Sequence, residues 1–388
     1  MKWFASNSIF DSIKPAYLAG KVIGFFTCTI DFQQHELSKS ALDQILYVVA
    51  IVMDVYALII SARTAFIFSD SILLNVGINS SVYLGIIISL GVTICNRIAR
   101  CRMFRIFETL YQVDSTLLSY GYRLNHQLNH LLSWIYIGTP MLTNAFFFFA
   151  GDQSSHQFSS LEVLMFLRTS LVFMLFGSFI CLTITSIYMR FRILNEAISK
   201  EFPTSLTADP HRTTTKEATD VVATVRCVGD LHEKLSEAVI EFNHCFALQI
   251  LLMMASAFGY TLFSFFAIIH ALSHPEIEQA QQVSVQNIVY GCIYLSFIIQ
   301  VVVAGSLASQ ECKKTGVFVH KVICYGYYEQ PTLRQLKFLS QQLRSYAPKV
   351  SCLLFDFEWP FLVSVAATLL MHVIILVQFD LSIIANKV

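Results

Sequence analysis

Seven stretches of this chain, 43–62, 72–95, 131–150, 163–188, 246–270, 287–308 and 359–379, run for about 20 residues or more with almost no charged side chain. An α-helix rises about 1.5 Å per residue, so each stretch can cross a hydrocarbon core of about 30 Å. Within lipid a backbone must satisfy its own hydrogen bonds, and each stretch is apolar round most of its circumference. The expected fold is therefore all-α: a polytopic membrane protein with seven transmembrane helices in a single domain, 1–388. Only 13% of the 388 residues are charged, about half the share in a soluble domain. With 55% hydrophobic residues, the chain is neither disordered, nor collagen-like, nor a small disulfide scaffold. Its 26 basic and 26 acidic side chains cancel, which speaks against a nucleic-acid partner. The surroundings that such a chain requires are a lipid bilayer.

The connections carry the orientation. Twenty-three of the 26 Lys and Arg lie before the first stretch or in the connections after the second, fourth and sixth. The connections 151–162 and 271–286 have none, and the first has only Arg63. The positive-inside rule then places the N-terminus and the long connections in the cytoplasm, and the short connections and the C-terminus outside. That is the inverse of a G-protein-coupled receptor. Residues 1–26 are interrupted by Asn7, Asp11, Lys14 and Pro15, so no cleaved signal peptide is expected. None of the ten cysteines falls in an external connection, and no disulfide is expected. The triplet Asn79-Ser80-Ser81 lies inside the second stretch, beyond the reach of glycosylation.

On the cytoplasmic side the pattern stays helical. Leu231, Leu235, Val239, Phe242 and Phe246 form one stripe that carries the fifth helix well below the membrane, and 97–111 prolongs the second. A further cytoplasmic helix is expected over 332–347, and a flexible loop over 203–215, with two prolines and a Ser/Thr cluster. Apolar stripes outside lipid need a partner, most simply a second copy of the chain. No phosphate loop, metalloprotease His pair or nucleophile elbow is present, so neither an enzyme nor a cofactor is expected. His126 and His130 are spaced to share a metal, but with no third ligand they read as a solvated face and no metal site is expected. Asp54 and Arg168 lie inside hydrocarbon, where an ionisable group is functional by default; the alternatives are a structural pair, or an Arg168 that snorkels outward.

The last stretch is the most specific. A serine- and glutamine-rich helix runs into a break at Pro348, Phe355-Asp356-Phe357 and Pro360, and a final span follows that ends in Gln378-Phe379. This resembles the C-terminal signature of insect gustatory receptors, in which Thr-Tyr, five apolar residues and Gln-Phe close the chain. Here the Gln-Phe end and the apolar spacer match, while Met371-His372 stand in place of Thr-Tyr. Length, number of spans, an internal N-terminus and short external loops agree with the same family over the whole chain.

The resemblance implies a tastant-gated non-selective cation channel in the plasma membrane of sensory neurons, assembled as a homotetramer or as a heterotetramer with other gustatory receptors. The last helix of each subunit would line a shared pore. A single helix cannot enclose an aqueous path, so a chain without internal repeats needs a closed ring of copies. On that helix Met371 or His372, Ile375, Gln378 and Phe379 fall along one side, with Ile375 and Phe379 suited to a hydrophobic constriction. A pocket for a small-molecule tastant would draw on the outer halves of the spans: Asn79 and Tyr83; Asn144 and Phe147; Thr169; Tyr260, Phe263 and His270; Tyr290 and Tyr294. The same residues could equally be packing between helices. Val373 stands where sugar branches carry an acidic residue, which favours bitter or other non-sugar compounds. Alternatives are an odorant-type channel subunit that needs a co-receptor and, less well supported, a seven-span G-protein-coupled receptor or membrane enzyme.

Overall fold

The computed structural model describes residues 6, 8–32, 34–38, 40–63, 71–151, 160–202, 218–273, 280–326 and 328–385. Among them it has nine helices: α1 (Ile9–Ile23), α2 (Ala41–Arg63), α3 (Ile72–Ser119), α4 (His126–Gly151), α5 (Ser160–Glu201), α6 (Ala218–Ser273), α7 (Ala280–Tyr325), α8 (Gln330–Ser345) and α9 (Trp359–Ala385). Two antiparallel pairs complete it, β1 (Thr29–Asp31) with β2 (Glu36–Ser38), and β3 (Ser351–Cys352) with β4 (Phe355–Asp356). Six helices, α2, α3, α5, α6, α7 and α9, are long and apolar enough to cross a membrane on their described residues. α4 covers the remaining stretch. The 56 residues of α6 extend about 84 Å, far beyond a hydrocarbon core of about 30 Å, as the Leu231 to Phe246 stripe requires. The expected loop at 203–215 lies outside the described residues.

α5 forms the axis of the bundle, and its Phe176, Phe179 and Phe191 pack with Phe107 of α3 and Phe242 and Phe246 of α6 in one continuous core. The N-terminal segment enters this core, which the sequence did not suggest. α1 is capped by Ser8, which accepts from Asp11 N at 3.1 Å, and ends at Gly24, whose φ of 93° suits glycine alone. Pro15 leaves Asp11 O without its helical donor, and His130 Nδ1 of α4 lies 3.3 Å from that oxygen. Trp134 Nε1 donates to His130 Nε2 at 3.0 Å, so the proton on Nδ1 faces the carbonyl. Beyond Gly24 the chain turns back with Phe25 against Phe176 and Phe26 against Phe179. Asn96 Nδ2 donates to Phe25 O at 3.2 Å and itself accepts from Gln249 Nε2 at 3.0 Å.

The break before the last helix matches the sequence reading: β3 and β4 fill it, and Pro360 occupies the first turn of α9, where its missing N–H costs nothing. Asn243 Nδ2 donates to Lys349 O at 2.8 Å and its Oδ1 accepts from Ser351 N at 3.1 Å. Phe357 is fully buried against Gly305, where an added Cβ would lie 2.7 Å from the Phe357 Cβ.

Candidate channel helix and ligand pocket

Buried charges come first, because hydrocarbon tolerates them only when they are paired. Arg168 of α5 bonds Asp54 of α2 and reaches Ile23 O at the end of α1 at 3.3 Å, while Ser89 Oγ of α3 donates to Asp54 Oδ1 at 3.0 Å. The structure pairs the two residues, so Arg168 does not snorkel outward. Arg190, fully buried nearer the basic end, donates to Asp114 Oδ2 at 2.5 Å and to Ser186 O at 2.7 Å. The expectation of a solvated face at His126 and His130 is corrected. His130 is buried in its bond to α1, and His126 sits beside Asp114 with its pKa lowered by burial. His232 and Cys312, below the apolar stretches, lie 3.5 Å apart with Ser236 next to them, an arrangement that could suggest a nucleophile. Burial holds the imidazole at about 4 and the thiol at about 12, so both are neutral packing groups. Among the described residues no cluster suited to a metal occurs.

α9 has two opposed faces. Leu369, Val373 and Asp380 are buried, with Leu362, Val365, Leu376 and Val377 half-buried on the same side. At 100° per residue, the opposite side carries Ser364, Thr368, Met371, Ile375, Gln378 and Phe379, all exposed. Met371 rather than His372 belongs to this stripe, since the His372 ring turns towards Phe258 of α6 at 6.1 Å. Ser364 donates to Pro360 O and Thr368 to Ser364 O, but the Gln378 side chain makes no hydrogen bond among the described residues. The sequence reading missed Ser364 and Thr368, which continue the three-and-four spacing towards the N-terminus of the helix. It also missed the tie at the other end: Asp380 Oδ2 lies 2.6 Å from His270 Nδ1 of α6, and Asp380 Oδ1 accepts from Ser71 Oγ, the cap of α3, at 2.8 Å. Between these ends a recess of about 580 Å³ lies behind the packed face, lined, among the described residues, by apolar side chains of α6, α7 and α9.

The sequence-nominated pocket residues separate. Tyr260 and Tyr294 stack at 4.3 Å, 3° from parallel, with Thr169 and Gly85 close by. Tyr290 lies one turn from Tyr294. Tyr83 instead donates to Ser61 O at 2.5 Å, Asn79 to Asn75 O at 2.7 Å, and Phe263 covers Gly77. His270 holds α9, Asn144 donates to Pro140 O at 2.9 Å, and the Phe147 side chain lies outside the described residues. A half-open space lies one layer deeper, with Thr139, Ser296 and Gln300 exposed at its open side. A cavity of about 180 Å³ opens between α4, α5 and α7, lined by Tyr136, Thr139 and Thr143, Phe173 and Ser178, and Phe297 and Gln300, with others. Phe173 joins it to the tyrosine stack, its ring 4.8 Å from Tyr294. The signal in the sequence was the hydroxyl row Tyr136, Thr139 and Thr143 at helical spacing.

Residues 13–383 match the family model described as 7tm Chemosensory receptor. The chain belongs to that family. Membership makes it a chemoreceptor and not an enzyme. No curated protein matches the sequence. In fold, the chain is similar to the insect olfactory receptor OR5 from Machilis hrabei, with a TM-score of 0.69 at 11% identity over 95% of this chain and 97% of that one. It is also similar to the same receptor in complex with eugenol, with a TM-score of 0.62 at 13% identity over the same shares.

Proposed function

We propose that this chemoreceptor is of the gustatory type and acts as a tastant-gated non-selective cation channel for bitter or other non-sugar compounds in the plasma membrane of sensory neurons. Four copies, identical or mixed with other gustatory receptors, stand in a ring with α9 of each at the centre. The N-terminus and the basic end face the cytosol. One observation carries the reading: α9 packs on one face and exposes Ser364, Thr368 and Gln378 on the opposite one. Ser364 and Thr368 bond the preceding turn of the helix, whereas the Gln378 amide has no partner among the described residues; lipid is a poor neighbour for it, and water in a shared path is a good one. Met371, Ile375 and Phe379 on that stripe supply the constriction, and Gln378 offers cations a weak amide ligand once water enters. The tastant sits in the cavity between α4, α5 and α7, beneath the stacked Tyr260 and Tyr294. Gln378-Phe379 favours this reading over an odorant-type subunit, and the charge count favours it over a G-protein-coupled receptor.

The test is recording from cells that express this chain alone, with excised patches free of nucleotide and G protein. Ligand-evoked cation current is expected, with conductance or basal opening altered in Gln378→Ala and Phe379→Ala at matched surface expression. Unaltered currents in both variants would remove α9 from the pore, and a carboxyl end reached by antibody only after permeabilisation would reverse the orientation.

A further inference from the structure

Resting on the reading of the α4–α5–α7 cavity as the ligand pocket, we propose that it selects a single-ring, uncharged molecule with one or two hydrogen-bonding oxygens, and that Gln300 holds the polar end. Three observations converge on this class.

The first is size. A cavity of about 150 Å³ is enough to hold benzene, and this one is about 180 Å³. One ring with a short substituent fills it, whereas a disaccharide or a fused polycycle would project through the open side at Thr139, Ser296 and Gln300. Tyr136, Phe173 and Phe297 supply aromatic walls, the last two 5.2 Å apart and edge to face.

The second is charge. Among the described residues no Asp, Glu, His, Lys or Arg lines the cavity, and Arg168, the charge of α5 within the apolar stretch, is committed to Asp54. A protonated amine would shed its water there and find no counter-charge.

The third is hydrogen-bonding capacity. Thr139 Oγ1 donates to Ile135 O at 2.9 Å and Ser296 Oγ donates to Ile293 O at 2.7 Å, so two wall hydroxyls have already used their protons. A monosaccharide brings a polar group on nearly every carbon and would leave several unmatched. Gln300, Thr143 and Ser178 are different, since none of these three side chains makes a hydrogen bond among the described residues. Of them only the Gln300 amide, exposed at the open side, offers two donors together with an acceptor, so a single oxygen of the ligand can engage it without displacing a protein contact.

The same helix transmits occupancy. Ser296, Phe297 and Gln300 of α7 line the pocket, and Leu295 and Ile299 line the recess behind α9. A ring that wedges between Phe173 and Phe297 displaces α7 towards the recess that separates it from α9.

The experiment compares currents in cells expressing the full chain, using benzyl alcohol, anisole and phenol against benzylamine below its pKa, glucose and sucrose. Wild type, Gln300→Leu and Ser178→Phe are tested at matched surface expression. The neutral single-ring compounds are expected to evoke current, with half-maximal concentrations raised about tenfold in Gln300→Leu, the worth of one ordinary hydrogen bond, and responses abolished in Ser178→Phe, which fills the cavity. The ammonium and the sugars are expected to be silent. Current evoked by the amine or a sugar, neutral responses indifferent to both variants, or basal current that responds to Gln378→Ala with no response to any neutral compound would each overturn the ligand class while leaving the channel standing. Absence of every current, basal or evoked, would instead overturn the channel reading itself.

Discussion

α5 and α9 are both apolar enough to cross a membrane, yet 83% of the α5 window is buried inside the molecule and only 11% of the α9 window. The difference follows from where each keeps its polar groups. α5 turns them inward, with Arg168 on Asp54 and Arg190 on Asp114, and surrounds them with Phe173, Phe176 and Phe179. α9 keeps one buried carboxylate, Asp380, near its far end and leaves Ser364, Thr368 and Gln378 uncovered. Hydrophobicity assigns both helices to the bilayer. The placement of their polar side chains assigns one to the core and the other to a boundary.

Breaking α5 should cost the most. Arg190→Leu strands Asp114 in the interior, and an expected loss of about 3–5 kcal/mol would show as collapsed surface expression and a lower Tm in detergent. Asp114→Leu added to Arg190→Leu should recover much of it. Phe176→Ala, which opens a cavity where α1, α5 and α6 meet, should cost about 3–5 kcal/mol, read by the same melt. Asp380→Asn should weaken the tie between α9 and α6 by about 1–3 kcal/mol, raising basal current. A double-mutant cycle with His270→Ala should show coupling of at least about 0.5 kcal/mol. At the small end, Leu370→Ala on the exposed side of α9 should shift stability by no more than about 0.5 kcal/mol. A Leu370 effect as large as that at Phe176 would dissolve the contrast between the two helices.

Much of this architecture was legible in the sequence. The last helix begins at Trp359, where the apolar stretch begins, with Pro360 in its first turn. The stripe of Leu231, Leu235, Val239, Phe242 and Phe246 is buried throughout. The N-terminal helix was not legible, because Pro15 reads as a breaker when its lost donor is replaced by His130, more than a hundred residues away in the chain. Nor was the pocket. Aromatic and polar residues in the outer halves of spans are common to sites and to packing, and only the packing of α4 against α5 and α7 decides which of them enclose space. For α9 the spacing of Met371, Ile375 and Gln378 was readable locally, whereas the bonds of Asp380 to Ser71 and His270 join residues 309 and 110 positions apart.

That last tie, together with the seating of Phe357 and of the Asn243-bound hairpin, clamps α9 like a beam at both ends, with one side of its middle packed at Leu369 and Val373 and the other side uncovered. A beam so held cannot swing as a door does. It can only bow, or roll about its own axis, and rolling by one residue's angle would exchange Ile375 for a neighbouring side chain on its exposed face. In the proposed channel, a small displacement of α7 behind it would then be enough to change what an ion meets.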